Sequence, residues 1–183
     1  MLILIGPSAS GKTEIAKYLS KHYKITKIIT YTTRKTRVNE QNGVDYNFIS
    51  VEEFAKLTDQ NFFVETTYYN NNYYGTAKKD IKDDKCVILD PNGLKSFLAL
   101  NDSHIVSVFL KCSEDVRYQR MILRKDEVEL AKKRIINDRI AFNEANLSKV
   151  DYVVESDKLA IDELSQKIYE LYQNHLKNLK WKH

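Results

Sequence analysis

The sequence predicts an α/β protein: a parallel sheet of about five strands with helices on both faces. Three observations carry that expectation. Apolar runs of strand length recur at residues 2–5, 25–29, 86–89, 105–110 and 152–154, with helical patterns between most of them. Strands alternating with helices imply crossover connections and a sheet buried on both faces. The first run, Leu2-Ile3-Leu4-Ile5, leads through a Gly- and Ser-rich loop into residues 14–22, where Ile15, Ala16 and Leu19 keep helical spacing. At the far end, Ile161, Leu164, Ile168 and Leu171 build one apolar stripe on a closing helix that packs against the sheet.

The loop after the first strand, Gly6-Pro7-Ser8-Ala9-Ser10-Gly11-Lys12-Thr13, fits the phosphate-cradling P-loop pattern G-x-x-x-x-G-K-[S/T]. The order strand, loop, helix lets backbone N–H groups converge on one anion while the helix aims its positive dipole end at the same point. All eight residues are expected at the phosphates of a bound nucleotide, with Lys12 reaching the β- and γ-phosphates and the Thr13 hydroxyl ligating Mg²⁺. The sheet is therefore expected to be of the P-loop NTPase type, with ligands at the strands' C-terminal edge.

A chain of 183 residues suits one domain with a proper core, and 43% hydrophobic with 30% charged residues argues against long disordered segments. A formal charge of +4 suits an anionic small molecule and is too weak to point to nucleic acid. Lys177, Lys180 and Lys182 read as a solvated helix end. Cys86 and Cys112 sit in or beside apolar runs, as buried thiols do, with no disulfide framework or metal spacing. The first apolar run is too short for a signal peptide and no stretch approaches a membrane span, so a cytoplasmic enzyme with no membrane partner is expected.

Residues 30–83 break the rhythm. The segment from Phe62 through Tyr69, Asn70-Asn71-Asn72 and on to Thr76 reads as a β-hairpin with an Asn-rich turn. The whole section is expected to be a mostly antiparallel insert between the second and third sheet strands. Residues 113–146 are helical and carry Arg117, Arg120, Arg124, Arg134 and Arg139, and are expected to form a lid. Residues 1–29, 84–112 and 147–183 remain as the core.

Inside the insert, Tyr31-Thr32-Thr33-Arg34-Lys35-Thr36-Arg37 is followed by Glu40, by Gly43-Val44-Asp45-Tyr46-Asn47-Phe48, and then by Glu65 and Tyr73-Tyr74-Gly75-Thr76. In that order behind a P-loop, these motifs closely resemble guanylate kinase, and the resemblance extends more loosely to the chain's end. It implies transfer of the γ-phosphoryl group of Mg·ATP to GMP or dGMP. Arg34 and Arg37 are two guanidinium forks near one turn, which suits a dianionic phosphate; the resemblance assigns them, with Tyr46 and Tyr74, to the phosphate of GMP. Glu65, a lone carboxylate in an apolar and aromatic strand, could accept from the N1–H and exocyclic amine of guanine. Thr76 and Thr30 fall where the family carries hydroxyls near the base. Plainer readings stand beside these: a solvated arginine pair, tyrosines that only pack the hairpin, and an outward-facing Glu65.

Asp90 ends the strand at 86–89, where a carboxylate can hold Mg²⁺ or its waters, and it is equally a natural N-cap for a helix starting near Asn92-Gly93. Asn92 stands where the family usually has a second acid reading the guanine amine; an amide keeps the acceptor oxygen and loses the charge. Arg124 and Arg134 occupy the positions of the family's lid arginines. Arg124-Lys125 replaces an Arg-Gly turn and the stretch to Arg134 is one residue shorter, so Arg120 and Arg139 compete for the transferring phosphoryl group. Two rivals stay open: a kinase of another nucleoside monophosphate or of a sugar phosphate, and a non-catalytic binding module, against which the intact Lys12 and Thr13 argue. The protein is expected to be a monomer or homodimer.

Overall fold

The computed structural model describes residues 1–36, 40–69, 71–143 and 145–181; Arg37, Asn70 and Lys182, singled out above, lie outside them. Strand β1 (Leu2–Ile5) is flanked by β7 (Lys85–Leu89) and β8 (Val106–Lys111), and the sheet is completed by β2 (Thr26–Lys27) and β9 (Tyr152–Glu155) in the order β2-β7-β1-β8-β9. Every pairing in it is parallel. The expected strand over 25–29 shortens to two residues. Ile25 and Ile28 are still buried, but at the sheet's edge only Thr26 and Lys27 pair with β7.

Alternation along β1 divides the core in two. Leu2 and Leu4 face α1 (Lys12–Tyr23) and α6 (Ile161–Lys180), packing with Ile15, Leu19, Leu164 and Ile168. Ile3 and Ile5 face the other side with Leu94 and Phe97 of α3 (Pro91–Leu98). The stripe on α6 continues past the expected positions through Tyr172 and Leu176, with Leu171 only half-buried. The Tyr172 hydroxyl donates to the Asp83 carbonyl at 2.9 Å, so the buried ring keeps its polar end satisfied.

The insert is a second sheet of β3 (Tyr31–Thr32), β4 (Asn47–Phe48), β5 (Phe63–Tyr69) and β6 (Asn72–Ala77), ordered β4-β3-β6-β5. β6 runs antiparallel to β3 and to β5, as expected, while β3 and β4 pair in parallel. A parallel pair needs a crossover, and here residues 33–46 supply it. The sequence reading missed α2 (Val51–Asp59). It starts on Ser50, whose side chain accepts from the Glu53 N–H, and buries only Phe54, stacked on Phe63 and Tyr73. A local signal was present: Ser50 with Glu53 three residues on, ahead of Val51, Phe54 and Ala55 at helical spacing.

Within 113–146 lie α4 (Glu114–Leu123) and α5 (Val128–Ala141), joined by a small cluster of Met121, Ala131 and Ile135. Among the described residues no helix is long and apolar enough to cross a membrane. Because Leu4 is fully buried on the central strand, Leu4→Ala is expected to lower the unfolding free energy by about 3 kcal/mol. Urea denaturation measures this, and a loss under about 1 kcal/mol would contradict the position given to β1.

Candidate active site

The parallel register fixes where the two halves of the site meet. Ile5 pairs with Leu89 on one side and Phe109 on the other, so Gly6 and Asp90 leave neighbouring strands side by side. Gly6 lies so close to β8 that a Cβ would stand 2.8 Å from the Leu110 carbonyl oxygen. Gly11, at φ +102, occupies backbone space that side chains rarely enter, and it opens α1 without a side-chain cap. The first-turn N–H groups of α1 are thereby left to an anion.

Lys12 folds back over this loop, its Nζ donating to the carbonyls of Gly6 at 2.6 Å and Pro7 at 2.8 Å and lying 3.4 Å from the Ser10 hydroxyl. Burial pulls its ammonium down to about 8; the Asp138 carboxylate opposes that shift and the Arg117 guanidinium adds to it. A cavity of about 520 Å³ opens over the loop, lined by Ala9, Gly11, Lys12 and Thr13, by Arg120 and Arg124, and by Leu159, Ala160 and Ile161. The last three give a nucleobase an apolar wall.

The four competing arginines separate clearly. Arg120 donates to the Ala9 carbonyl at 3.2 Å and to the Ser156 carbonyl at 2.7 Å, joining the P-loop to the residue after β9. Arg124 borders the same cavity, but its guanidinium grips Asp126, which also accepts from Arg134 at 3.2 Å. Arg124 first, then Arg134, hold the Asp126 carboxyl below its ordinary range. Arg139 points to Glu114. Within the P-loop, the Ser8 N–H donates to Asp138 at 2.8 Å, and Asp138 also accepts from Arg117 at 2.8 Å.

A second cavity, of about 160 Å³, borders the end of β7 and is lined by Thr30, Glu65, Thr67, Tyr74, Thr76 and Asp90 with apolar residues of β7. Glu65 and Thr76 are cross-strand partners, and the Thr76 hydroxyl donates to Glu65 Oε1 at 2.8 Å while Thr67 lies 3.4 Å from Oε2. Burial raises the Glu65 pKa; the two hydroxyls work against that and the nearby Asp90 adds to it. Tyr74 links this cavity to Tyr46, ring centroids 6.1 Å apart, and the Arg34 guanidinium sits 5.3 Å from the Tyr46 ring centre. Arg34 is paired with Glu40 at 2.7 Å, which raises its pKa further. Asn92 is exposed in the first turn of α3 and does not line the cavity.

Asp90 caps α3, accepting from the Gly93 N–H at 2.7 Å through Oδ1. Its carboxylate stands just past the end of β7 and the Thr13 hydroxyl in the first turn of α1, both hard oxygen donors, and among the described residues no group of three His, Cys, Asp or Glu could hold a metal ion. This donor set fits Mg²⁺, which takes few protein ligands and fills its shell with water and phosphate oxygens. Sequence reasoning missed Leu159, Ala160, Ile161, Thr67 and the Ser8–Asp138 contact. One signal was legible: Arg117 stands one turn before the apolar Met121, so it shares the buried face of α4 and demands an acid partner.

Fold and site together define a P-loop nucleotide-binding protein with a second pocket beside the phosphate loop. The family model for guanylate kinase matches residues 1–175. A guanylate kinase of Helicobacter pylori is 36% identical over 169 residues, covering 87% of this chain and 80% of its own length. One from Campylobacter jejuni is 34% identical, with 87% of this chain and 82% of the relative covered. The crystal structure of guanylate kinase from Anaplasma phagocytophilum superposes with a TM-score of 0.66 at 24% identity, over 95% of this chain and 84% of that one. The chain belongs to the guanylate kinase family.

Bound phosphate favours the charged form of Lys12, so triphosphate affinity is fully present below about pH 8 and declines as pH rises through it. Calorimetric titration at pH 8 in buffers of different ionisation enthalpy is expected to show net proton uptake on binding. Affinity constant from pH 7 to about 9.5 would contradict this.

Proposed function

We propose that this chain transfers the γ-phosphoryl group of Mg·ATP to GMP or dGMP, giving ADP and GDP or dGDP. The observation that carries the reading is the half-buried Glu65 hydrogen-bonded to the buried Thr76, set in a small pocket at the end of the strand next to the P-loop strand. A carboxylate there accepts the N1–H and exocyclic amine that guanine presents and adenine does not. Thr30 completes the rim of that pocket, with Tyr74, Tyr46 and Arg34 leading away from it as a path for the monophosphate. Arg34 exchanges Glu40 for the incoming dianion, and Arg37 joins it. Asn92, exposed between the pocket residues Asp90 and Gly93, offers an uncharged acceptor oxygen for the guanine amine.

The donor triphosphate lies over the loop Gly6 to Thr13, with its base against Leu159 and Ile161. Family membership and this cavity support ATP as donor. No general base is required: the acceptor phosphate, with a second pKa of about 6, is already largely dianionic at neutral pH and attacks in line. Thr13 and Asp90 would hold Mg²⁺, which when bound neutralises charge between the β- and γ-phosphates. Lys12 leaves the Gly6 and Pro7 carbonyls for the phosphates. Arg120 already touches the loop, while Arg124 and Arg134 reach the reacting groups by releasing Asp126 as the lid closes and water is excluded. A cytoplasmic setting goes with this reading.

A coupled ADP-release assay with ATP and a panel of monophosphates tests it. GMP and dGMP are expected to turn over, with AMP, CMP and UMP at least about 100-fold poorer. No turnover of either guanine nucleotide would overturn the proposal. Lys12→Ala is expected to cut transfer by about 1000-fold or more while far-UV circular dichroism stays unchanged, which a mere binding module would not predict. Glu65→Gln should lower kcat/KM for GMP by about 100-fold and raise the melting temperature at pH 7. The ionised carboxylate is disfavoured in the folded state, so the variant's advantage holds above the raised pKa and fades as pH falls below the ordinary carboxylate range. A lower melting temperature at pH 7 would count against a half-buried, charged Glu65.

A further inference from the structure

Asp138 and Arg117 contact no substrate in the chemistry above, yet they form the most buried ion pair among the described residues, with side chains 14% and 4% exposed. Arg117, on α4, reaches Asp138 Oδ2 on α5 at 2.8 Å, and its own Nε is buried without a partner. The same Oδ2 accepts from the Ser8 N–H at 2.8 Å, and Oδ1 lies 3.3 Å from the Ser8 hydroxyl. One carboxylate thus joins two lid helices to the third residue of the P-loop, 130 positions away in sequence.

We propose that Asp138 is a positioning residue for the donor site: anchored by Arg117, it pins Ser8 and so fixes the P-loop in the shape that receives the donor phosphates. The inference rests on the reading of the P-loop as the donor half of the site. The opposite role, a plug that swings away when phosphate arrives, fails on energetics. Release would strand Arg117 in the interior with a second unpaired nitrogen, and removing one partner of a buried pair costs far more than the intact pair contributes. The pair is also neutral as a unit, so it repels phosphate less than a lone carboxylate. The contact therefore persists through the catalytic cycle. It anchors the C-terminal half of α5, while Arg134, one turn earlier, rests on the half-exposed Asp126 pairing and is free to move.

Truncating Asp138 alone risks unfolding through the stranded Arg117, so the test uses an Arg117→Leu background, where an apolar side chain fills the buried position. In that background Asp138→Asn keeps an oxygen for the Ser8 N–H and Asp138→Ala does not. ATP and GMP dissociation constants are measured by titration calorimetry on folded, full-length protein, beside steady-state GMP phosphorylation. With Asn, ATP binding is expected within about threefold of the parent; with Ala it weakens about tenfold, as expected for a lost charge-assisted hydrogen bond. GMP binding should hold within about twofold in both. ATP binding unchanged by Ala, or weakened equally by Asn and Ala, would overturn the proposal. ATP binding is read without turnover, so a failure to phosphorylate GMP would count against the proposed function alone.

Discussion

Strand β1 is hydrogen-bonded on both edges and buried on both faces, and the location of the site follows from that constraint. A strand with no free edge or face can present polar backbone only where it ends. At Gly6 the chain leaves the ladder, and the loop it forms carries N–H groups that neither the sheet nor a side-chain cap of α1 consumes. The same parallel register delivers Asp90 from β7 beside it. The P-loop and the pocket at the end of β7, the proposed donor and acceptor halves, are therefore neighbours by sheet geometry before any side chain contributes.

Burial sets the chemistry of both halves in opposite senses. Lys12 is a cation pressed against carbonyls, with its pKa lowered by desolvation, and Glu65 is a carboxylate whose pKa desolvation raises. Desolvation disfavours each charge in the free protein, and on the proposed reading each gains a matched partner when substrate arrives. Binding energy is then spent on groups that are poised rather than satisfied, which favours ligands carrying the complementary charge or donor pattern. Exposed pairs such as Arg124 with Asp126 serve a different end. They hold lid side chains in solvent at little cost in stability, and release them as easily.

Much of this was legible in the sequence because the signals are local. The P-loop, the strand runs at residues 86–89, 105–110 and 152–154, and the α6 stripe each depend on spacing along one segment. Helix α2 left a local signal too, Ser50 with Glu53 three residues on and Val51, Phe54 and Ala55 at helical spacing, although only Phe54 is buried. The wall of Leu159, Ala160 and Ile161 was not legible, since it belongs to the donor cavity only through the parallel placement of β9 beside β8. Asp90 carried two readings at once, and its cap on α3 leaves Oδ2 clear of that bond, so both remain compatible. The Ser8–Asp138 contact spans the chain and had no local trace beyond Arg117 on a buried helix face.

On the proposed reading, one site with two adjoining halves holds two nucleotides at once. Titration with a bisubstrate ligand, adenosine and guanosine joined through a chain of five phosphates, tests it most directly. Linking ligands for adjacent pockets makes the second binding event intramolecular, so affinity is expected to exceed that of ATP or GMP alone by about 100-fold or more. Binding should occur at one ligand per chain, and prior saturation with either single nucleotide should block it. A bisubstrate ligand that binds no more tightly than ATP would contradict the account.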